Sequence, residues 1–199
     1  FLSMTAYFMQ ELILEPYAGL VFGFTPGQST SLSGAQNGGV FLGMLTVGIM
    51  ATGLRIGSLR AWVVAGCLGS ALSLAVITAL GGPAVSSTLM PAVVGLGFFN
   101  GMFAVAAIGS MMALAGEGRE AREGTRMGLW GAAQAIAAGF GGLMGAAAVD
   151  VMRVSFASDA TAFGAVFLFE AGLFLVSALM ALKVIDPTRG PRAAMVPGE

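Results

Sequence analysis

The chain of 199 residues is 57% hydrophobic and 10% charged, with 31 glycines, 13 methionines, one cysteine, no histidine and a formal net charge of −1. A soluble domain carries about 25% charged residues, so this composition cannot coat a water-facing globule and points to an all-α integral membrane protein. Without His there is no His-ligated zinc or haem and no Ser-His-Asp triad, and the lone Cys67 excludes an internal disulfide or CxxC site, so the expectation is a protein that is not an enzyme.

The lack of a basic run argues against nucleic acid as a partner. Apolar stretches of about twenty residues, the length that crosses a bilayer core, alternate with short polar segments. They predict six spans, at about 1–23, 32–54, 60–81, 88–114, 126–149 and 162–184. Together these form one transmembrane domain over 1–184, followed by a tail over 185–199. Phe1 already lies inside an apolar run, with no initiator Met, charged leader or cleavage site, so the start is not a signal peptide and the chain reads as a fragment.

Gln10, Glu11, Glu15 and Pro16 interrupt the first span. Glu11 and Glu15 are four residues apart and share a helix face, which cannot look at lipid. Pro16 should bend or end that helix. Phe24–Ser31 reads as a polar turn, and the second span then carries Gln36 and Asn37 among the glycine pairs Gly34/Gly38 and Gly39/Gly43. Trp62 opens the third span as an interfacial residue, and Cys67 within it reads as a small packing residue. The fourth span holds Asn100 beside Gly97/Gly101. Trp130, which suits an interfacial belt or ligand stacking, and Gln134 open the fifth span, which also holds Gly141/Gly145. Glu170 lies mid-way along the sixth and is the costliest of these groups if unpaired. For the amides, hydrogen bonds between helices are the plainer reading.

Lys and Arg fall on one side of this arrangement. Arg55, Arg60, Arg119, Arg122, Arg126, Lys183, Arg189 and Arg192 alternate to one face and Arg153 alone to the other. The bias places both ends in the cytoplasm. An internal echo links the second and fifth spans: Leu32-Ser33-Gly34-Ala35-Gln36 and Leu129-Trp130-Gly131-Ala132-Ala133-Gln134 each follow a polar turn containing Thr. Equivalent second and fifth helices are the mark of a 3+3 inverted repeat, as in each half of a major-facilitator-type fold.

Met9-Gln10-Glu11-Leu12-Ile13-Leu14-Glu15-Pro16-Tyr17-Ala18-Gly19, Pro26-Gly27-Gln28-Ser29-Thr30 and Glu123-Gly124-Thr125-Arg126-Met127-Gly128-Leu129-Trp130-Gly131-Ala132-Ala133-Gln134-Ala135 resemble the PucC-type proteins of phototrophic bacteria. These form the bacteriochlorophyll delivery family, a twelve-helix branch of the major facilitator superfamily, and the spans here resemble its last six helices. The resemblance implies an assembly factor in the photosynthetic, intracytoplasmic inner membrane. It would bind bacteriochlorophyll and hand it to light-harvesting antenna polypeptides, with the reaction-centre complex as a further partner. Under it, Glu11, Glu15, Gln36, Asn37, Asn100, Trp130, Gln134 and Glu170 are candidate pigment-binding or cavity-lining residues. The pigment magnesium would be held through Glu11, Glu15, Gln36 or Gln134, since hard Mg²⁺ accepts carboxylate or amide oxygen. Two alternatives stay open. One is a facilitator-type solute transporter, although Gly53–Arg60 lacks the Asp of the usual Gly-x-x-x-Asp-x-x-Gly-Arg loop; the other is a stoichiometric subunit of a reaction-centre–antenna complex.

Overall fold

Capping chemistry sets the helix boundaries. Thr25 accepts from the Gln28 backbone N–H while the Gln28 side chain accepts from the Thr25 N–H, and Pro26 fills the first helical position. Ser58 caps the third helix by accepting from Ala61 N–H. Gly23, at φ 71°, ends the first helix in the left-handed conformation, its N–H returning to the carbonyls of Ala18 and Gly19. The computed structural model describes residues 1–54, 56–81, 86–115 and 123–184. Among them are six α-helices: α1 (Leu2–Phe22), α2 (Pro26–Val47), α3 (Leu59–Leu80), α4 (Ser86–Ala115), α5 (Glu123–Ser155) and α6 (Asp159–Val184). A π-helical turn, Gly48–Gly53, continues α2.

Three expectations change. Pro16 does not end α1, which runs on to Phe22 because the apolar residues after it stay buried against the core. The stretch read as a turn over Phe24–Ser31 is mostly helix, since the Thr25 cap and Pro26 start α2 within it. The helix α5 extends to Ser155, past the span end at 149, and Arg153 in its last turn meets Asp159 at the start of α6 at 2.7 Å. The tail and the basic residues Arg55, Arg119, Arg122, Arg189 and Arg192 lie outside the described residues.

Four helical segments are long and apolar enough to cross a membrane: Leu59–Leu80, Ser87–Met112, Met127–Ser155 and Asp159–Lys183. Six were expected. The helices α1 and α2 are of similar length but fall short in hydropathy, through Gln10, Glu11 and Glu15 in one and the run Pro26–Ser31 with Ser33, Gln36 and Asn37 in the other.

The core is built from seven-residue stripes. Ser3, Ala6, Gln10, Ile13 and Tyr17 of α1 are buried, as are Val63, Cys67, Ser70, Leu74 and Ile77 of α3. Leu89, Val93, Leu96, Asn100 and Phe103 of α4, and Phe163, Phe167, Glu170 and Phe174 of α6, repeat the pattern. These stripes face one another: Tyr17 packs on Phe163 and Phe167 with ring centroids 5.6 and 5.0 Å apart, and Phe103 on Phe174 at 6.3 Å. The outer helices close on this core through glycine. A Cβ on Gly39 or Gly43 of α2 would strike the backbone of Val94 or Phe98 of α4, and one on Gly97 or Gly101 of α4 would strike Gln36 or Val40 of α2. Gly141 and Gly145 of α5 fit against Thr5, Phe8 and Met9 of α1 in the same manner.

Candidate functional site

Polar side chains gather where α1 passes α2. Tyr7, Glu11 and Glu15 recur every four residues on α1, and Ser33, Gln36 and Asn37 share a face of α2; together they line a cleft of about 130 Å³. The Ser33 hydroxyl donates to Glu15 Oε1 at 2.6 Å, and Asn37 Nδ2 donates to the Ser33 carbonyl at 3.0 Å. The Glu11 carboxylate makes no hydrogen bond among the described residues and is exposed. Pro16 has no N–H to offer the carbonyl of Leu12, one turn before it in α1. Beside the cleft, Gly34 and Gly38 are exposed, with nothing within 4 Å of where a Cβ would stand, so α2 presents a smooth strip there.

Four of the eight sequence-derived candidates thus come together: Glu11, Glu15, Gln36 and Asn37. Trp130 and Gln134 lie half-buried on α5 and do not line the cleft. Asn100 and Glu170 point into the helical core instead. Asn100 Oδ1 accepts from the Ser70 hydroxyl at 2.8 Å, while Glu170 has no hydrogen-bond partner among the described residues. Sequence reasoning missed Tyr7 and Ser33 as site residues. The four-residue step from Tyr7 to Glu11 to Glu15 was available as a signal, whereas Ser33 is a small polar residue that only its contact with Glu15 distinguishes. No group of three or more His, Cys, Asp or Glu able to hold a metal ion occurs among the described residues.

The helices and the carboxylate-bearing cleft define the class: an all-helical protein of membrane-spanning composition with acidic groups on one exposed face. The chain belongs to the PUCC protein family, whose family model matches residues 1–189. It is 71% identical over 197 residues to the Rhodobacter capsulatus protein named "Bacteriochlorophyll synthase 44.5 kDa chain", covering 99% of this chain and 45% of that relative. A second Rhodobacter capsulatus relative, named "Uncharacterized protein in puhA-bchM intergenic region", is 30% identical over 94% of this chain and 39% of its own length. The chain therefore spans less than half the length of the curated relatives it matches. No solved structure matches it.

The first relative's name corrects the expectation of a non-enzyme, because a protein sharing 71% of aligned positions carries an enzyme's name. The physical reason is that a missing His and CxxC remove only His- and thiol-dependent chemistry. Carboxylates such as Glu11 and any bound cofactor remain available.

Proposed function

We propose that the chain forms six membrane spans, one half of a major-facilitator-type fold, that bind bacteriochlorophyll and serve its passage from synthesis to light-harvesting antenna polypeptides. The observation that carries this reading is Glu11, an exposed carboxylate with no hydrogen-bond partner among the described residues, set in a cleft on an otherwise apolar surface. A carboxylate in that setting calls for a cationic ligand, and the hard magnesium of a chlorophyll-type pigment would be held by such an oxygen. The donor set fits: Glu11 and Glu15 supply carboxylate oxygen and Gln36 and Asn37 amide oxygen. At about 130 Å³ the cleft is below the size of pockets that enclose a small molecule. The cleft would therefore supply ligand oxygen from Glu11, Glu15, Gln36 or Asn37 rather than enclose the pigment, and the open faces of Gly34 and Gly38 beside it would leave room for the rest. Bound pigment would supply the light absorption; the chain supplies the ligand oxygen and the apolar bed.

Helix packing supports the repeat. Exchanging α1 with α4, α2 with α5 and α3 with α6 maps each main neighbour pair onto another: α2–α4 onto α1–α5, α3–α4 onto α1–α6, and α3–α6 onto itself. The membrane is the bacterial photosynthetic inner membrane in this reading, with both chain ends cytoplasmic and the reaction-centre complex a neighbour.

The test is the absorption spectrum of the full-length protein purified from pigment-making cells. Bacteriochlorophyll should co-purify with the wild type and be strongly reduced in Glu11→Leu at equal protein abundance. A pigment-free wild type overturns the reading, as does undiminished pigment in Glu11→Leu, Glu15→Leu and Gln36→Leu alike.

A further inference from the structure

Each of the four core stripes carries a buried polar residue near its middle, Gln10, Ser70, Asn100 and Glu170, and helix rise places these four near one level. Ser70 of α3 and Asn100 of α4 are hydrogen-bonded at 2.8 Å. Short connections make successive helices alternate in direction, so α4 and α6 run parallel and α1 and α6 antiparallel. Phe103 packs on Phe174, which brings Asn100 level with Glu170 to within about 1.5 Å along the bundle axis. Tyr17 packs between Phe163 and Phe167, which brings Gln10 level with Glu170 to within about 3 Å. Gln10 and Glu170 sit on the same stripes as these aromatic contacts, so both face the centre.

This layer is closed to solvent and incompletely satisfied. Gln10, Ser70 and Glu170 are 0% exposed and Asn100 1%. Among the described residues, both amide atoms of Gln10, Asn100 Nδ2 and both oxygens of Glu170 have no hydrogen-bond partner. A buried carboxylate has to be neutralised, by a paired cationic side chain, a metal ion or a proton. None of the four stripes supplies such a side chain: α1 and α4 contain no Lys or Arg, Arg60 stands in the first turn of α3 and Lys183 in the last turn of α6. From Ser70 to Arg60 is ten residues, about 15 Å of helix.

We infer that Gln10, Ser70, Asn100 and Glu170 form a buried binding site for one exchangeable monovalent cation, a proton or a sodium ion. The charge fixes the valence, since a divalent ion would leave an uncompensated positive charge in the core. The ligands fit both occupants. A proton on Glu170 neutralises the buried charge, and the resulting O–H and carbonyl oxygen match the unpaired acceptor Gln10 Oε1 and the unpaired donor Asn100 Nδ2 in kind. A sodium ion takes oxygen from Glu170, Gln10 and Asn100, all hard donors. The pair Gln10–Glu170 is then the counterpart of Asn100–Ser70 under the same exchange of α1 with α4 and α3 with α6. This site is separate from the cleft at Glu11 and stands whether or not pigment binds there.

Two measurements on the full-length protein in lipid nanodiscs test it. The infrared spectrum should contain a protonated-carboxyl stretch that Glu170→Gln abolishes and Gln10→Leu shifts in frequency; that result assigns the proton. Alternatively, the thermal unfolding midpoint should rise with sodium chloride over choline chloride, an effect that Glu170→Gln loses and Gln10→Leu weakens; that result assigns sodium. Should Glu170→Gln fail to fold, the wild type and Gln10→Leu still decide between these outcomes. A wild type with neither a protonated-carboxyl band sensitive to Gln10 nor a sodium-specific rise in midpoint overturns the site.

Discussion

The Tyr17 hydroxyl of α1 donates to the backbone carbonyl of Ile77 on α3 at 2.9 Å, with both residues fully buried. The bond ties α1 to α3, two helices that each pack on α6. Tyr17 also anchors an aromatic cluster with Phe22, Phe163 and Phe167. Polar tip and apolar ring thus act on different neighbours.

Removing only the tip separates the two contributions. Tyr17→Phe keeps the ring contacts and leaves the Ile77 carbonyl without its donor, so the unfolding free energy should fall by about 1–3 kcal/mol. Tyr17→Ala should fall by about 3–5 kcal/mol, because a cavity replaces the ring. Unfolding in mild detergent, followed by near-ultraviolet circular dichroism, distinguishes the two. Equal losses would show that the ring contributes nothing beyond its hydroxyl.

The glycines divide into two kinds. Gly43→Ala and Gly101→Ala place a methyl group against backbone of the facing helix and should each cost about 1–3 kcal/mol. Gly34→Ala and Gly38→Ala meet open space and should be neutral or gain up to about 1 kcal/mol from helix propensity alone. Expression level with unfolding midpoint reads the contrast, and similar behaviour of all four would mean that α2 and α4 do not approach through these faces.

Ser33→Ala removes the hydroxyl that holds Glu15. A surface hydrogen bond to a charged group contributes little to global stability, so the midpoint should stay within about 1 kcal/mol of wild type. Pigment bound per protein should change, since Glu15 then competes with Glu11 as an oxygen donor. An unchanged pigment ratio in Ser33→Ala, alongside a reduced one in Glu11→Leu, restricts the site to Glu11.

Sidedness follows from the positive residues. In a background without other reactive thiols, Thr30→Cys should react with a membrane-impermeant maleimide in intact cells and Ile56→Cys only after lysis; both positions are exposed and Cys67 is buried. The reverse pattern inverts the topology.

The apolar runs of α3, α4 and α6 are legible because single polar residues such as Asn100 and Glu170 barely lower their mean hydropathy, and their boundaries fall within a few residues of the hydropathy reading. The start of α2 was not, because Pro26-Gly27-Gln28-Ser29-Thr30-Ser31 has the composition of a turn and only the reciprocal bond between Thr25 and Gln28 turns it into a helix start. Glu11 and Glu15 announce a site by their cost in an apolar segment, and their four-residue step gives its face. Of their neighbours on α2, Gln36 and Asn37 stand out as amides in an apolar span, whereas Ser33 is recognisable only once the helices are side by side. The level shared by Gln10 and Glu170 is hidden for a deeper reason. It depends on how two stripes, one at each end of the chain, align through Tyr17 and the phenylalanines of α6. Ser70 carries no hydropathy signal at all, although it holds Asn100.

Glycines line both partners where α2 meets α4, but only α5 where it meets α1. The first pair is toothed on both sides, so neither helix can slide or roll without lifting off the other. The second pair is toothed on one side, against the bulkier Phe8 and Met9, and α5 has the smallest buried share of the four long apolar helices, 22% against 50% for α3. Compliance in the bundle is therefore lopsided: α2 and α4 behave as a rigid post, and displacement imposed from outside is absorbed by the stave formed by α5.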